Sequence, residues 1–328
     1  MASLHLPRHR RGLLALGAAA ALVGGAAAYK KVSAAREARD LSADDDLDAL
    51  GWGPTGGPTR IDVPTRDGAS LAVWDIGGGP TVVLPHCWGC SHAIWIPVAR
   101  RLVESGHRVV LYDQRGHGAS SRGTAPLSIE TLSDDLATVL EARSVTDAVL
   151  AGHSMGGMTI MALATDRPAV LAQRARALVL VATAAADLGP GPAGSGRLVA
   201  GLIASPAVAL ALRSSAGHRF VRGVFGADPV RAHMDLTRSL FADTVPHVRA
   251  GFLTAMSTMN LLEGIATIGI PTTVMIGSRD RLTAPSRADQ MVAAIPGARL
   301  VTLPGRGHML PLEAAEAVTD EIERAFTR

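Results

Sequence analysis

The residues best suited to chemistry are Ser154, Asp280 and His308. Ser154 stands in Gly152-His153-Ser154-Met155-Gly156, where the apolar run "DAVLAG" (147–152) gives way to the helix-patterned "GGMTIMALATDRP" (156–168). A serine on a sharp strand-to-helix turn has a strained backbone. The residues two before and two after it crowd each other, so both must be glycine. The helix N-terminus behind the turn favours developing negative charge. A serine hydroxyl attacks a carbonyl only with a base to take its proton, and the base needs an orienting acid. In this architecture both follow later strands, acid before histidine. "IGSRDRLTAP" (276–285) offers Asp280, and "PGRGHMLPLE" (304–313) offers His308. The chemistry these three support is acyl transfer.

The only two cysteines, Cys87 and Cys90, form a Cys-x-x-Cys in "LPHCWGCSHAIW" (84–95). Such a pair at a strand end suits redox chemistry in some folds. A thioredoxin-like reading leaves Ser154, Asp280 and His308 unexplained. Haem attachment needs a histidine directly after the second cysteine, where Ser91 stands. A zinc site needs two further ligands close by. The cysteines are read as incidental to the chemistry, with a disulfide between them expected to distort the loop if the domain is exported.

The elements that must position these residues are legible from residue 61 onward. "RIDVPT" and "SLAVWDIG" flank the hairpin signal Asp67-Gly68. "TVVLPH" (81–86), "RVVLYD" (108–113), "DAVLAG", "ARALVLVATA" (175–184), "PTTVMIG" (271–277) and "ARLVTLP" (298–304) read as buried strands. Helical patterns separate them; "SIETLSDDLATVLEAR" is opened by Ser128 with Glu130 and Thr131, and "PLEAAEAVTDEIERAF" reads as one last amphipathic helix. Strand-helix alternation implies a mostly parallel sheet of about eight strands covered by helices on both faces, with an antiparallel hairpin at one edge. Residues 185–265 break the alternation and read as an inserted helical cap, with apolar positions such as Leu198, Leu202, Phe220, Phe225, Leu240, Phe241, Phe252 and Met256. The core is then 61–184 together with 266–328.

Five segments in order, "HCWGCSHAIW", "YDQRGHGASS", "GHSMGG", "GSRDRLTAP" and "GRGHMLPLE", resemble the α/β-hydrolase fold superfamily, and in particular its capped serine esterases, lipases and cofactor-free haloperoxidases of actinobacterial type. The resemblance spans residues 61–328. It implies Ser154 as nucleophile, Asp280 as acid and His308 as base, with no cofactor and no metal. It also implies an oxyanion hole made of the backbone N–H groups of Met155 and Trp88. The family usually reads His-Gly where this chain has His86-Cys87, so the loop carrying Trp88 is expected to differ in shape. Some members place the acid where Asp187 stands; the turn-like setting of Asp280 favours Asp280. Asp113, Arg115 and His117 are read as structural hydrogen-bonders, and His153 as pointing away from the reacting atoms. His218, His233 and His247 are read as cap surface or lining. Ser120 and Ser278 lack the glycine-framed turn.

Composition bounds the partners. A net charge of +3 spread over 328 residues, with 3% aromatics, gives no basic stripe with stacking platforms, so nucleic acid is not expected. Residues 12–29, "GLLALGAAAALVGGAAAY", carry no charge and are flanked by Arg8, Arg10 and Arg11 on one side and Lys30, Lys31, Arg36 and Arg39 on the other. As a helix they span roughly 27 Å against a bilayer core of about 30 Å. Residues 1–29 are therefore expected to anchor the chain in a membrane, the alternative being export after cleavage near Ala26-Ala27-Ala28. Residues 30–60 read as a linker. The expected activity is cleavage of a small, apolar carboxylic ester. Perhydrolysis by the same triad and a ligand-binding receptor on the same fold are the alternatives.

Overall fold

The computed structural model describes residues 50–52, 57–186, 188, 201 and 203–327. The expected anchor at 12–29 and the rival acid Asp187 lie outside the described residues, as do Leu198 and Leu202. Among the described residues, no helix is long and apolar enough to cross a membrane.

Among the described residues eight strands form one sheet: β1 (Arg60–Pro64), β2 (Ser70–Ile76), β3 (Thr81–Pro85), β4 (Arg108–Tyr112), β5 (Ala148–His153), β6 (Ala175–Val181), β7 (Thr272–Gly277) and β8 (Arg299–Leu303), in the spatial order β1-β2-β4-β3-β5-β6-β7-β8. β1 pairs antiparallel with β2 and β2 antiparallel with β4; every later pairing is parallel. The central strands β3 and β5 are buried along their whole length, which is why they read as unbroken apolar runs rather than alternating ones. The hairpin turn forms at Asp67-Gly68, with Gly68 at φ 84° and Thr65 N–H donating to Ala69 O at 2.8 Å.

Helices cover both faces. α1 (Ile96–Glu104) follows a 3₁₀ turn, His92–Trp95; α2 (Ile129–Ala142) begins where Ser128 Oγ accepts the N–H of Thr131. α3 (Met155–Asp166) starts directly behind Ser154 and is followed by α4 (Pro168–Arg174). Pro168 thus opens a new helix as well as ending the previous one, because a proline at the first helical position lacks only an N–H that has no intrahelical partner. Between β6 and β7 lie α5 (Pro206–Leu212), α6 (Ser215–Arg222), α7 (Arg231–Asp243), α8 (Pro246–Thr258) and α9 (Leu262–Ile265). α10 (Pro285–Ala294) lies between β7 and β8. The last helical segment is two helices, α11 (Leu310–Glu313) and α12 (Ala315–Arg324), because Ala314 leaves helical geometry at φ −149° and ψ 44°.

The inserted helices are not a separate body. Val221, Phe225, Val248, Phe252 and Met256 belong to the same apolar cluster as the sheet strands, while Leu212, Phe241 and Ala242 form a small second cluster against Trp88. Part of the expected linker also docks: Leu50 and Trp52 pack on the core, and Gly51 O accepts from Arg100.

Candidate active site

Ser154 sits at the carboxyl end of β5 with φ 52° and ψ −116°. For a non-glycine residue this is strained backbone, and it is held in place from both sides. Its N–H donates to Val181 O at 2.9 Å, and its carbonyl accepts from Thr183 Oγ1 at 2.7 Å and from Gly157 N–H at 2.8 Å. The two framing glycines serve different approaches. A Cβ on Gly152 would stand 2.5 Å from the Gly156 backbone, as the spacing predicts. A Cβ on Gly156 would instead stand 2.1 Å from Pro85 O, at the end of β3. That second glycine lets the turn press against the loop that carries Cys87 and Trp88.

Asp280 and His308 are brought together across two loops. His308 Nδ1 and Asp280 Oδ2 are 2.8 Å apart. The same carboxylate accepts from Leu282 N–H at 2.8 Å, Thr283 N–H at 2.9 Å and Thr283 Oγ1 at 2.8 Å. Burial alone would raise this carboxyl; the charge and hydrogen bond of His308 and the Thr283 bonds together hold it below the usual carboxylate range. Both residues are 4% exposed. Close approach of the two loops requires Gly277, where a Cβ would stand 2.2 Å from Gly307 O.

The main chain around His308 is fixed independently of its ring. Its N–H donates to Val224 O of the inserted helices at 2.8 Å, and its carbonyl accepts from His153 Nε2 at 2.8 Å. Glu313 gathers the N–H groups of Gly226, Gly307 and Met309 at 2.7, 3.0 and 3.0 Å. His153 thus points toward the His308 loop and pins its backbone. Burial, with the neighbouring His308, pulls its ring down to about 3, so it stays neutral. Among the described hydrogen bonds none joins Ser154 Oγ to His308. Contacts of this kind are commonly long before a substrate binds.

The loop after β3 is clamped by residues that the sequence reading did not single out. Gln114 donates its backbone N–H to His86 Nε2 at 2.9 Å and its side-chain amide to His86 O. Its amide oxygen accepts from Thr159 Oγ1 at 2.8 Å. Gln114 lies inside the "DQRGHG" segment, between Asp113 and Arg115, two of the three side chains assigned structural roles. Asp113 accepts from His92 N–H, His92 Nδ1 and Ala119 N–H at 2.7, 2.9 and 2.8 Å, and Arg115 clasps Asp135 and Asp67. His117 packs beside Phe252. Cys87 and Cys90 are both free and buried. Burial and the adjacent Cys90 push the Cys87 thiol well up, so it is not a ready nucleophile. Met155 is fully buried at the head of α3, and Trp88 is half-buried, its indole N–H donating to Arg249 O at 3.0 Å. In the inserted region His218 pairs with Asp235 at 2.6 Å, His233 is buried and His247 exposed. Among the described residues no group of three or more His, Cys, Asp or Glu side chains is placed to hold a metal.

A buried Asp–His pair beside a strained serine, at the carboxyl edge of a parallel sheet, defines a hydrolase class of α/β protein. Residues 80–315 match the model of the alpha/beta hydrolase fold, and the chain belongs to that family. It is 26% identical over 277 residues to the AB hydrolase superfamily protein YisY of Bacillus subtilis, covering 79% of this chain and 96% of that protein. It is 30% identical to 3-oxoadipate enol-lactonase 1 of Acinetobacter baylyi over 68% of this chain and 80% of that one. Among solved structures, a hydrolase from Pseudomonas aeruginosa superposes with a TM-score of 0.68 at 30% identity, covering 82% of this chain and 98% of that one.

Proposed function

We propose that the chain cleaves carboxylic esters through an acyl-enzyme, with Ser154 as nucleophile, His308 as base and Asp280 as its orienting acid. The observation that carries this reading is the 2.8 Å Asp280–His308 contact set beside a serine at φ 52°. Ser154 Oγ attacks the acyl carbonyl while its proton passes to His308 Nε2. Asp280 holds the proton on Nδ1 and stabilises the imidazolium. The backbone N–H groups of Met155 and Trp88 receive the oxyanion, each worth about 3 kcal/mol in comparable sites. Collapse breaks the ester C–O bond, and His308 gives its proton to the leaving alkoxide. Water then repeats the sequence to free the acid and Ser154. The apolar side chains of the inserted helices suit an acyl chain of some length, and residues 1–29 attach the enzyme to a membrane.

The test is turnover of nitrophenyl esters from acetyl to lauroyl by the full chain beside Ser154→Ala. Turnover that disappears in the variant is the expected result; equal inertness across the series sinks the ester reading. Trp88 in the loop after β3 gives perhydrolysis a second place. Peroxide-dependent halide oxidation in acetate, lost in Ser154→Ala, is its signature.

A further inference from the structure

Two arginines bound to aspartates, the buried Arg115 and the partly buried Arg108, show what an inward-turned guanidinium needs. Arg115 donates Nε and Nη2 to the two carboxylate oxygens of Asp135, at 2.6 Å each. Arg108 donates the same pair of atoms to Asp75 at 2.9 and 2.6 Å. Nε–H and Nη2–H point in parallel along one edge of the guanidinium, the edge that fits a carboxylate in bidentate fashion.

Arg249, on α8, is fully buried and breaks this pattern. Its Nη1 donates to the carbonyls of Phe241 and Ala242, in the last turn of α7. That is an ordinary use of arginine at a helix C-terminus. Nε and Nη2 are also buried, yet among the described residues no group accepts from either, and no carboxylate pairs with the guanidinium. The edge that Arg108 and Arg115 use on aspartates is thus the edge Arg249 leaves without a protein acceptor. An enclosed charge of this kind is costly unless something pairs with it. Burial draws the guanidinium below its usual range, consistent with no anion of the chain lying close by.

The place is next to the oxyanion loop. The Trp88 indole donates to the Arg249 carbonyl at 3.0 Å. The guanidinium carbon lies 5.2 Å from the centre of the Phe241 ring, and that ring meets Trp88 edge-on at 4.9 Å. Phe241 also lies so close to Gly89 that a Cβ there would stand 2.1 Å from it. One residue before Arg249, Val248 presses on Gly116 in the loop after β4. Arg249 is therefore inserted among the residues that adjoin Trp88.

We propose that Arg249 is a specificity-determining residue that receives a carboxylate of the substrate on Nε and Nη2, so that the preferred ester carries an apolar acyl chain ending in a carboxylate. This rests on the ester-hydrolase reading and narrows its substrate class. The carboxylate takes the place at Arg249 that Asp135 and Asp75 take at Arg115 and Arg108. Because the guanidinium is covered, the inserted helices must part for the chain to enter and close over it afterwards.

The experiment compares mono-nitrophenyl esters of succinic, glutaric, adipic and pimelic acids with neutral nitrophenyl esters of the same chain length, using the full-length protein and its Arg249→Met and Arg249→Lys variants. The wild type is expected to favour the acidic member of at least one pair by tenfold or more in kcat/KM. Arg249→Met should reduce that ratio to near one, and Arg249→Lys, which keeps charge but loses the fork, should fall between. No preference at any length, or a preference that survives Arg249→Met, overturns the proposal. A second measurement does not depend on turnover or on Arg249→Met folding well. Free glutarate and adipate should raise the melting temperature of the Ser154→Ala protein, and adding Arg249→Lys should weaken that rise; an unchanged rise, or none, counts against the site. The failures are separable. Serine-dependent turnover of neutral esters without acid preference removes the Arg249 role alone. Arg249-dependent dicarboxylate binding without any ester turnover leaves the anion site standing and removes the ester chemistry.

Discussion

At the scale of single residues, the site divides into groups that would touch a substrate and groups that hold them. On the proposed mechanism Ser154→Ala should lower kcat/KM for nitrophenyl esters by about 10⁴-fold or more, since it removes the attacking hydroxyl. Asp280→Asn keeps the shape but favours the wrong histidine tautomer, and a loss of about 10⁴-fold in kcat is expected. Thr283→Val should be much milder. It removes one hydroxyl donor to Asp280 Oδ2, worth about 1 kcal/mol and hence about fivefold in rate. Steady-state kinetics on the three variants separates these cases: if Thr283→Val costs as much as Asp280→Asn, Thr283 is more than a support. The sequence offered Ser154, Asp280 and His308 because each lies in a short segment whose neighbours constrain it. It did not offer Thr283, Gln114, Glu313 or Arg249. Their work is done through contacts whose partners are distant in the chain or, for Thr283, through a turn that forms only once Asp280 is in place. The one local hint was Thr283 three residues after an aspartate, a common side-chain turn spacing.

At the scale of elements, close backbone approach decides what is tolerated. Gly156→Ala places a methyl 2.1 Å from the Pro85 carbonyl, and neither the β5–α3 turn nor the end of β3 can yield without moving the other. Overpacking of this sort costs about 1–3 kcal/mol, and more where backbone is the obstacle. Denaturant unfolding should show that loss, and the surviving folded protein should lose kcat because the loop of Trp88 has moved; wild-type stability in Gly156→Ala would contradict the packing account. Glu313→Gln is the counterpart at the last loop. It weakens three N–H contacts around His308 and should lower kcat about tenfold, with KM little changed, as charge-assisted bonds become neutral ones. A KM effect alone would place Glu313 in substrate binding instead. Periodicity marked the strands and the helices behind them, because β-branched runs and amphipathic stripes are local properties. Breaks inside helical patterns were harder. Pro168 opens α4 and Ala314 divides the final helix, and both depend on how the chain must turn to reach its next contact.

At the scale of the molecule, three buried neutral histidines tie stability to pH. Burial leads in each case, pulling His86 to about 4 and His117 and His153 to about 3. In the unfolded chain they take up protons near 6.5. Between that value and about 4 the unfolded state binds more protons than the folded one, so stability is full above pH 6.5 and falls as the pH is lowered. At pH 5 each histidine contributes a loss of about 2 kcal/mol. Urea midpoints at pH 7, 6 and 5 should therefore fall steadily, and His117→Asn should flatten the slope. A midpoint independent of pH over that range would contradict neutral burial. The N-terminal expectation belongs to this scale too. Full-length protein should sediment with membranes and resist carbonate washing, while a chain starting at residue 50 should not; release of the full chain by carbonate would remove the anchor.

The sequence by itself determined the order of strands and helices in the body, the serine turn, and the two loops able to supply an acid and a histidine. These are local matters: alternation, glycines required by a tight turn, and polar residues just past apolar runs. The tertiary structure decided the rest. It set the sheet order that lays β5, β7 and β8 within reach of one another, the 2.8 Å meeting of Asp280 with His308, and the seating of the inserted helices on the loop of Trp88. It also decided that Arg249, one arginine among many in the sequence, is fully enclosed with no carboxylate of the described residues beside it. Burial and partner geometry are properties of the packed chain, and no spacing along the sequence encodes them.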